Sequence, residues 1–150
     1  MMKKAVFAIV AVSLVGYGVY RGSAHKPKGD ASLVTNRVWI DHIPRSERDV
    51  IQIFAAISDH SIGVFQAASA WKGQYEGFRY ESNGDEFRLV FPQNGDRERV
   101  MMKATRCDEG GMDFCMQVTG SSRGAKRYFS RKGWEIDSIN DLDSARERLR

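Results

Sequence analysis

A chain of 150 residues with 42% hydrophobic and 28% charged side chains has the size and composition of one globular domain with a sizeable core, which excludes a disordered or fibrous chain. The formal net charge of +4 belongs largely to the N-terminal stretch, where Lys3, Lys4 and Arg21 stand without acids; residues 25–150 carry 20 basic against 19 acidic side chains. A nearly neutral domain lacks the electrostatic footprint of a polyanion-binding protein, so no nucleic-acid partner is expected.

In chain order, Met1-Met-Lys-Lys precedes an apolar run over residues 5–20, and Gly22-Ser23-Ala24 offers small residues for a cleavage site. Residues 1–24 are expected to be a secretory signal or, uncleaved, a signal-anchor helix. A helix of 16 residues is about 24 Å long, short of the roughly 30 Å hydrocarbon core, which favours the signal. Membrane contact is expected only through residues 5–20 if they stay attached. Either way the domain is exported, periplasmic or secreted, or held at the inner membrane by that helix. With no cysteine directly after the apolar run, a lipid-anchored protein is not expected.

Residues 25–32 form a polar linker, 33–134 the folded domain and 135–150 a helical tail. A first strand is expected over residues 34–42, with Val38 and Ile40 on one face and Trp39 on the other. Residues 49–58 fit a helical stripe (Val50, Ile53, Phe54, Ile57) but are rich in strand formers, and a strand is preferred. Residues 59–61 read as a turn. Residues 63–71 read as a strand whose one face carries Phe65, Ala67, Ser69 and Trp71.

From residue 73 to 119, short alternating segments are separated by Asn83-Gly84, Asn94-Gly95 and Gly110-Gly111. Such pairs mark tight hairpins, because type I′ turns need positive φ at both central residues. A last strand over 126–132 points Tyr128 and Phe129 to opposite faces. The tail from Ser138 has acids early and arginines late, the charge order that suits a helix dipole. The fold class is all-β: an up-and-down antiparallel meander or barrel of about eight strands, with an N-terminal apolar helix and a short C-terminal one.

Cys107 and Cys115 flank a seven-residue hairpin tip, which places them opposite each other within reach of a disulfide, and export supplies an oxidising compartment. His25, His42 and His60 lie far apart, with no second ligand at metal-binding spacing. No nucleophile elbow or Ser-x-x-Lys pattern surrounds Ser69 or Ser130. Neither a catalytic set, a metal nor a cofactor is expected, and the protein is read as not an enzyme. Arg97, Arg99, Lys103 and Arg106 read as a solvated outer strand face.

The apolar rows on successive strands define the candidate site: Phe65, Trp71, Phe78, Phe87, Leu89, Phe91, Met102, Phe114 and Met116. Eight strands is the size at which side chains either fill a barrel or leave room for one small molecule. Two functions stay open. One is carriage of a small hydrophobic ligand among those residues, in an enclosed cavity of about 300 Å³ or more. The other is an envelope interaction or inhibitor module with a filled core and a protein partner.

Eight strands, a C-terminal helix and Trp39 near the start of the first strand make the chain resemble the lipocalin or calycin barrels over residues 33–150. Their Gly-x-Trp motif is matched only at Trp39, because Arg37 stands where Gly would be. The resemblance implies carriage of a small hydrophobic molecule without catalysis, and a basic residue, Arg131, packed over Trp39.

Overall fold

The computed structural model describes residues 29–147. The expected N-terminal helix, the first half of the linker and the last tail residues lie outside that range. Eight strands follow in order: β1 (Arg37–Ile40), β2 (Ile51–Ile57), β3 (Ile62–Ala68), β4 (Gly73–Asn83), β5 (Glu86–Val90), β6 (Arg97–Glu109), β7 (Met112–Thr119) and β8 (Arg127–Ser130). Every neighbouring pair is antiparallel, and β8 returns to β1, so the sheet is a closed barrel.

Closure at that seam is thin. Only Ile40 faces Phe129 in register, and the tail finishes the join: Val38 N donates to Trp134 O, and Ile136 N to Asn36 O. A short six-residue helix, α1 (Leu142–Glu147), ends the described chain. Among the described residues no helix is long and apolar enough to cross a membrane.

The strands alternate as their sequences require. Trp39, Phe54, Phe65, Phe78, Tyr80, Phe87, Leu89, Phe91, Val100, Met102, Phe114, Met116, Val118 and Tyr128 form one buried cluster inside the barrel. On β1 to β3 the opposite faces are buried too. Val38, Ile40, Ile51, Ile53, Ala55, Ile57, Val64 and Ala68 form a second cluster outside, joined by Ile136 and Leu142 of the tail. Within residues 49–58, Ile51–Ile57 are thus a strand, and their nearly continuous apolar run is what burial on both faces demands.

The turns differ in detail from the Asn-Gly expectation. Asn83 and Glu86 face each other, so the central residues are Gly84 and Asp85, and of these only Gly84 has positive φ, at 61°. Residues 91–96 make a longer connection in which Gly95 N donates to Phe91 O. Gly110 and Gly111, with φ of 59° and 75°, do form the double positive-φ turn.

Cys107 and Cys115 are at bonding distance, Sγ to Sγ 2.07 Å. They are not opposite each other in register, because Cys115 faces Thr105 and the ladder shifts between Arg106 and Glu109. That irregularity turns Cys107 towards its partner, with Cα atoms 5.8 Å apart.

Candidate functional site

The connections at residues 41–50, 69–72, 91–96 and 120–126 all lie at one end of the barrel, here called the rim. The turns at 84–85 and 110–111 and the 3-10 turn Ala31–Leu33 lie at the other. The far end is closed from the N-terminal side: Asp30 N donates to Ala104 O, and the Trp39 indole donates to Val34 O. Beside it, the Arg37 guanidinium sits 4.0 Å from the centroid of Phe114 and pairs with Glu135.

Of the nine expected lumen residues, the structure gathers eight: Phe65, Phe78, Phe87, Leu89, Phe91, Met102, Phe114 and Met116. Trp71 is the correction. It is 73% exposed and lies beyond the end of β3 at Ala68. The Ser69 hydroxyl accepts from the backbone N–H groups of Trp71 and Lys72, and Ala70 N donates to Glu47 O. Those bonds turn the chain out of the strand before Trp71 can enter the lumen.

The gathered rings touch one another. Phe65 lies 5.3 Å from Phe54, 5.2 Å from Phe78 and 6.3 Å from Phe91, centroid to centroid, and Tyr80 lies 5.6 Å from Phe87. Packing is close enough that a methyl group on Gly63 would come within 2.2 Å of the Phe78 ring and 2.7 Å of the Ala55 carbonyl. The Tyr128 hydroxyl accepts from Ala125 N, and burial pushes its pKa up to about 12. Burial likewise raises that of Tyr80, whose hydroxyl donates to Ile57 O.

The rim is closed by one arginine. Arg123, in the connection after β7, lays its guanidinium 3.7 Å from the Phe91 ring centroid. It donates to both carboxylate oxygens of Glu76 (2.8 and 2.9 Å), to Asp96 (2.7 Å) and to Glu98 (2.7 Å). Glu76 comes from β4 and Glu98 from β6, so the arginine spans the top of the barrel. Ser121 and Ser122 also donate to Glu98. Burial raises the Glu98 pKa, but the two serines and Arg123 outweigh it and leave the carboxyl below its ordinary value. The Glu76 bonds, opposed by burial and reinforced by Asp96 and Glu98, raise that of Arg123.

Sequence reasoning missed this lid. Its acids lie 25 to 47 residues from Arg123, so no local spacing betrays them. The one available signal is an arginine between Ser-Ser and a glycine in a chain whose other loop cations have no such setting.

Two hollows lie on the rim's outer side. One, about 510 Å³, is lined by His42, Arg45, Ser46, Arg48 and Asp49. The other, about 400 Å³, runs between the 43–49 connection and the outer faces of β2 and β3, bordered by Ile43, Pro44, Ile51, Ile53 and Ala68. His42 holds this connection in shape, Nδ1 2.9 Å from Asp41 and Nε2 3.2 Å from Asp49. Burial lowers the His42 pKa, but the hydrogen bonds and charges of Asp49 and Asp41 win and raise it. Nearby, Ile43, Val50, Trp71 and Tyr75 are exposed, Tyr75 to 77%.

Arg131 does not pack over Trp39 as the lipocalin resemblance implies. It lies 5.7 Å from the Trp134 ring and donates to Gly111 O. Among the described residues no group of three or more His, Cys, Asp or Glu side chains could hold a metal ion. Fold and site together define a closed eight-stranded antiparallel barrel whose layout is compatible with a lipocalin-like one. The chain matches no family model, no curated protein and no solved structure.

Proposed function

We propose that this is an exported recognition module that binds a partner protein with its rim and outer face, rather than a carrier of a small hydrophobic molecule. The observation that carries this reading is where the apolar surface lies. The lumen side chains are in mutual contact beneath the Arg123 lid, while Trp71 and Tyr75, 73% and 77% exposed, stand outside, Trp71 directly after Ala70, which lines the second hollow. Large aromatics held in the open are the anchors from which protein interfaces draw most of their energy. The paired cysteines suit an oxidising compartment, in keeping with the basic and apolar start of the chain.

Photo-crosslinking in the native host tests it. A photoreactive residue at position 71 or 75 should yield one discrete protein adduct, whereas the same residue at Arg99, on the outer face of β6, should not. Crosslinking equally strong at all three positions, or none at 71 and 75, would rule the reading out.

A further inference from the structure

Strand β4 is longer than its neighbour. It runs Gly73–Asn83, but β5 pairs only with Arg79–Asn83, while β3 pairs with residues 73–79 on the other side. The direction of the unpaired groups follows from the hairpin. Asn83 and Glu86 flank a two-residue turn and therefore form a hydrogen-bonded pair, so odd-numbered residues of β4 aim both N–H and C=O towards β5. Above the end of β5 these are Gly77, Tyr75 and Gly73.

Gly77 has a substitute partner. The Gln93 carboxamide lies across it with both polar atoms 3.0 Å from the backbone, donating to Gly77 O and accepting from Gly77 N in the orientation that satisfies both. A primary amide used in this way stands in for one residue of a missing strand. Among the described residues no strand faces Tyr75 and Gly73 there.

The geometry points to β-strand addition: an extended segment of a partner protein pairs its main chain with the free edge of β4 at Gly73 and Tyr75, above Gln93. The chemistry of that segment can be read from the side chains beside the edge. Tyr75 and Arg79 lie on the outer face of β4, Lys72 adjoins its start, and Arg97 of β6 faces Val90 at the end of β5. Among the described residues no ion pair engages these three cations, whereas the nearby acids Glu76 and Asp96 are bound to Arg123. The added strand should therefore present acidic side chains on its outward positions, and an apolar one against Tyr75 and Trp71. This inference rests on the protein-recognition reading and specifies how that recognition is made.

Random twelve-residue peptides displayed on phage and panned on the full chain supply the probe. The enriched peptides should be acidic and should slow amide exchange at Gly73 and Tyr75 at least tenfold. They should lose at least tenfold in affinity when alternate peptide N–H groups are methylated. Gln93→Ala, which frees Gly77, should tighten binding several-fold, and Lys72→Glu with Arg79→Glu should weaken it at least fivefold. Neutral or basic consensus peptides, no enrichment, or binding that leaves the Tyr75 amide unprotected would overturn strand addition. Protection that rises with protein concentration without peptide would make a second copy of the chain the occupant and equally overturn it. If the photo-crosslinked adduct forms while Tyr75 stays unprotected, protein recognition stands and only the strand mode fails.

Discussion

Arg123 and Glu76 are joined by two parallel hydrogen bonds, 2.8 and 2.9 Å long, from a connection after β7 to the upper half of β4, which β3 pairs but β5 does not reach. The contact crosses the place where β5 has already ended. Side chains therefore close the barrel where its ladder does not, and a bidentate arginine fork suits that role better than a lysine could.

Removing that fork leaves Glu76, Asp96 and Glu98 facing one another without a cation. Since the side chains of Arg123 and Glu98 are only 16% and 11% exposed, Arg123→Met should cost about 2–3 kcal/mol, below the full penalty for breaking a buried pair. Urea unfolding checks this, and Arg123→Lys should recover less than half of the loss. A change under about 0.5 kcal/mol would mean that the lid is a surface pair like any other.

The same site sets an acid limit. The Glu98 pKa is depressed on folding, so its contribution is present above the unfolded value, near 4.5, and is lost as pH falls through the folded one. His42 has the opposite sign: its pKa is raised, so its contribution is complete below the unfolded value near 6.5 and fades as pH rises through the folded value. An NMR titration should place His42 above 6.5 and return it towards that value in Asp49→Asn. Loosening of residues 120–126, seen as faster amide exchange, should begin only below about pH 4.5.

The lumen packing is tested at a glycine. Gly63→Ala drives a methyl into the Phe78 ring and the Ala55 carbonyl, and the backbone partner cannot move aside. Overpacking of this kind should cost about 2–3 kcal/mol by denaturant unfolding. Tolerance of Ala at this position would mean that the interior has spare room.

For the cysteine pair, the chain-entropy argument for so short a loop gives roughly 2–3 kcal/mol. Cys107→Ser with Cys115→Ser should lower stability by that amount and leave the circular dichroism spectrum of a β-barrel intact. Native protein from its own compartment should resist alkylation at both positions.

The barrel was legible because alternation is a local property: the rows from Phe78 to Val118 fall on one face whatever the neighbours do. Burial on both faces was written in the run from Ile51 to Ile57, yet its cover, Ile136 and Leu142, comes from the far end of the chain. Trp71 misled because Ala67, Ser69 and Trp71 keep the period of a strand after the strand has stopped. What stops it is a serine hydroxyl bonding its own turn and a carbonyl of Glu47 more than twenty residues away. The Arg123 lid and the free edge of β4 depend on one strand being shorter than its neighbours, and hydrophobic patterning places strand ends poorly.

Native mass spectrometry of the protein purified from its own host bears most directly on the filled barrel. The barrel should fly as the bare chain with one disulfide and no stoichiometric adduct, including after exposure to a fatty-acid mixture. Trp71→Ala and Tyr75→Ala should each leave that mass pattern and the stability unchanged within about 0.5 kcal/mol, as exposed sites do. Trp71→Ala should weaken the crosslink from a photoreactive residue at 75, and Tyr75→Ala that from one at 71. A one-to-one apolar adduct that persists in those variants and disappears when Met102 or Met116 is enlarged to Trp would contradict the filled barrel and restore the carrier.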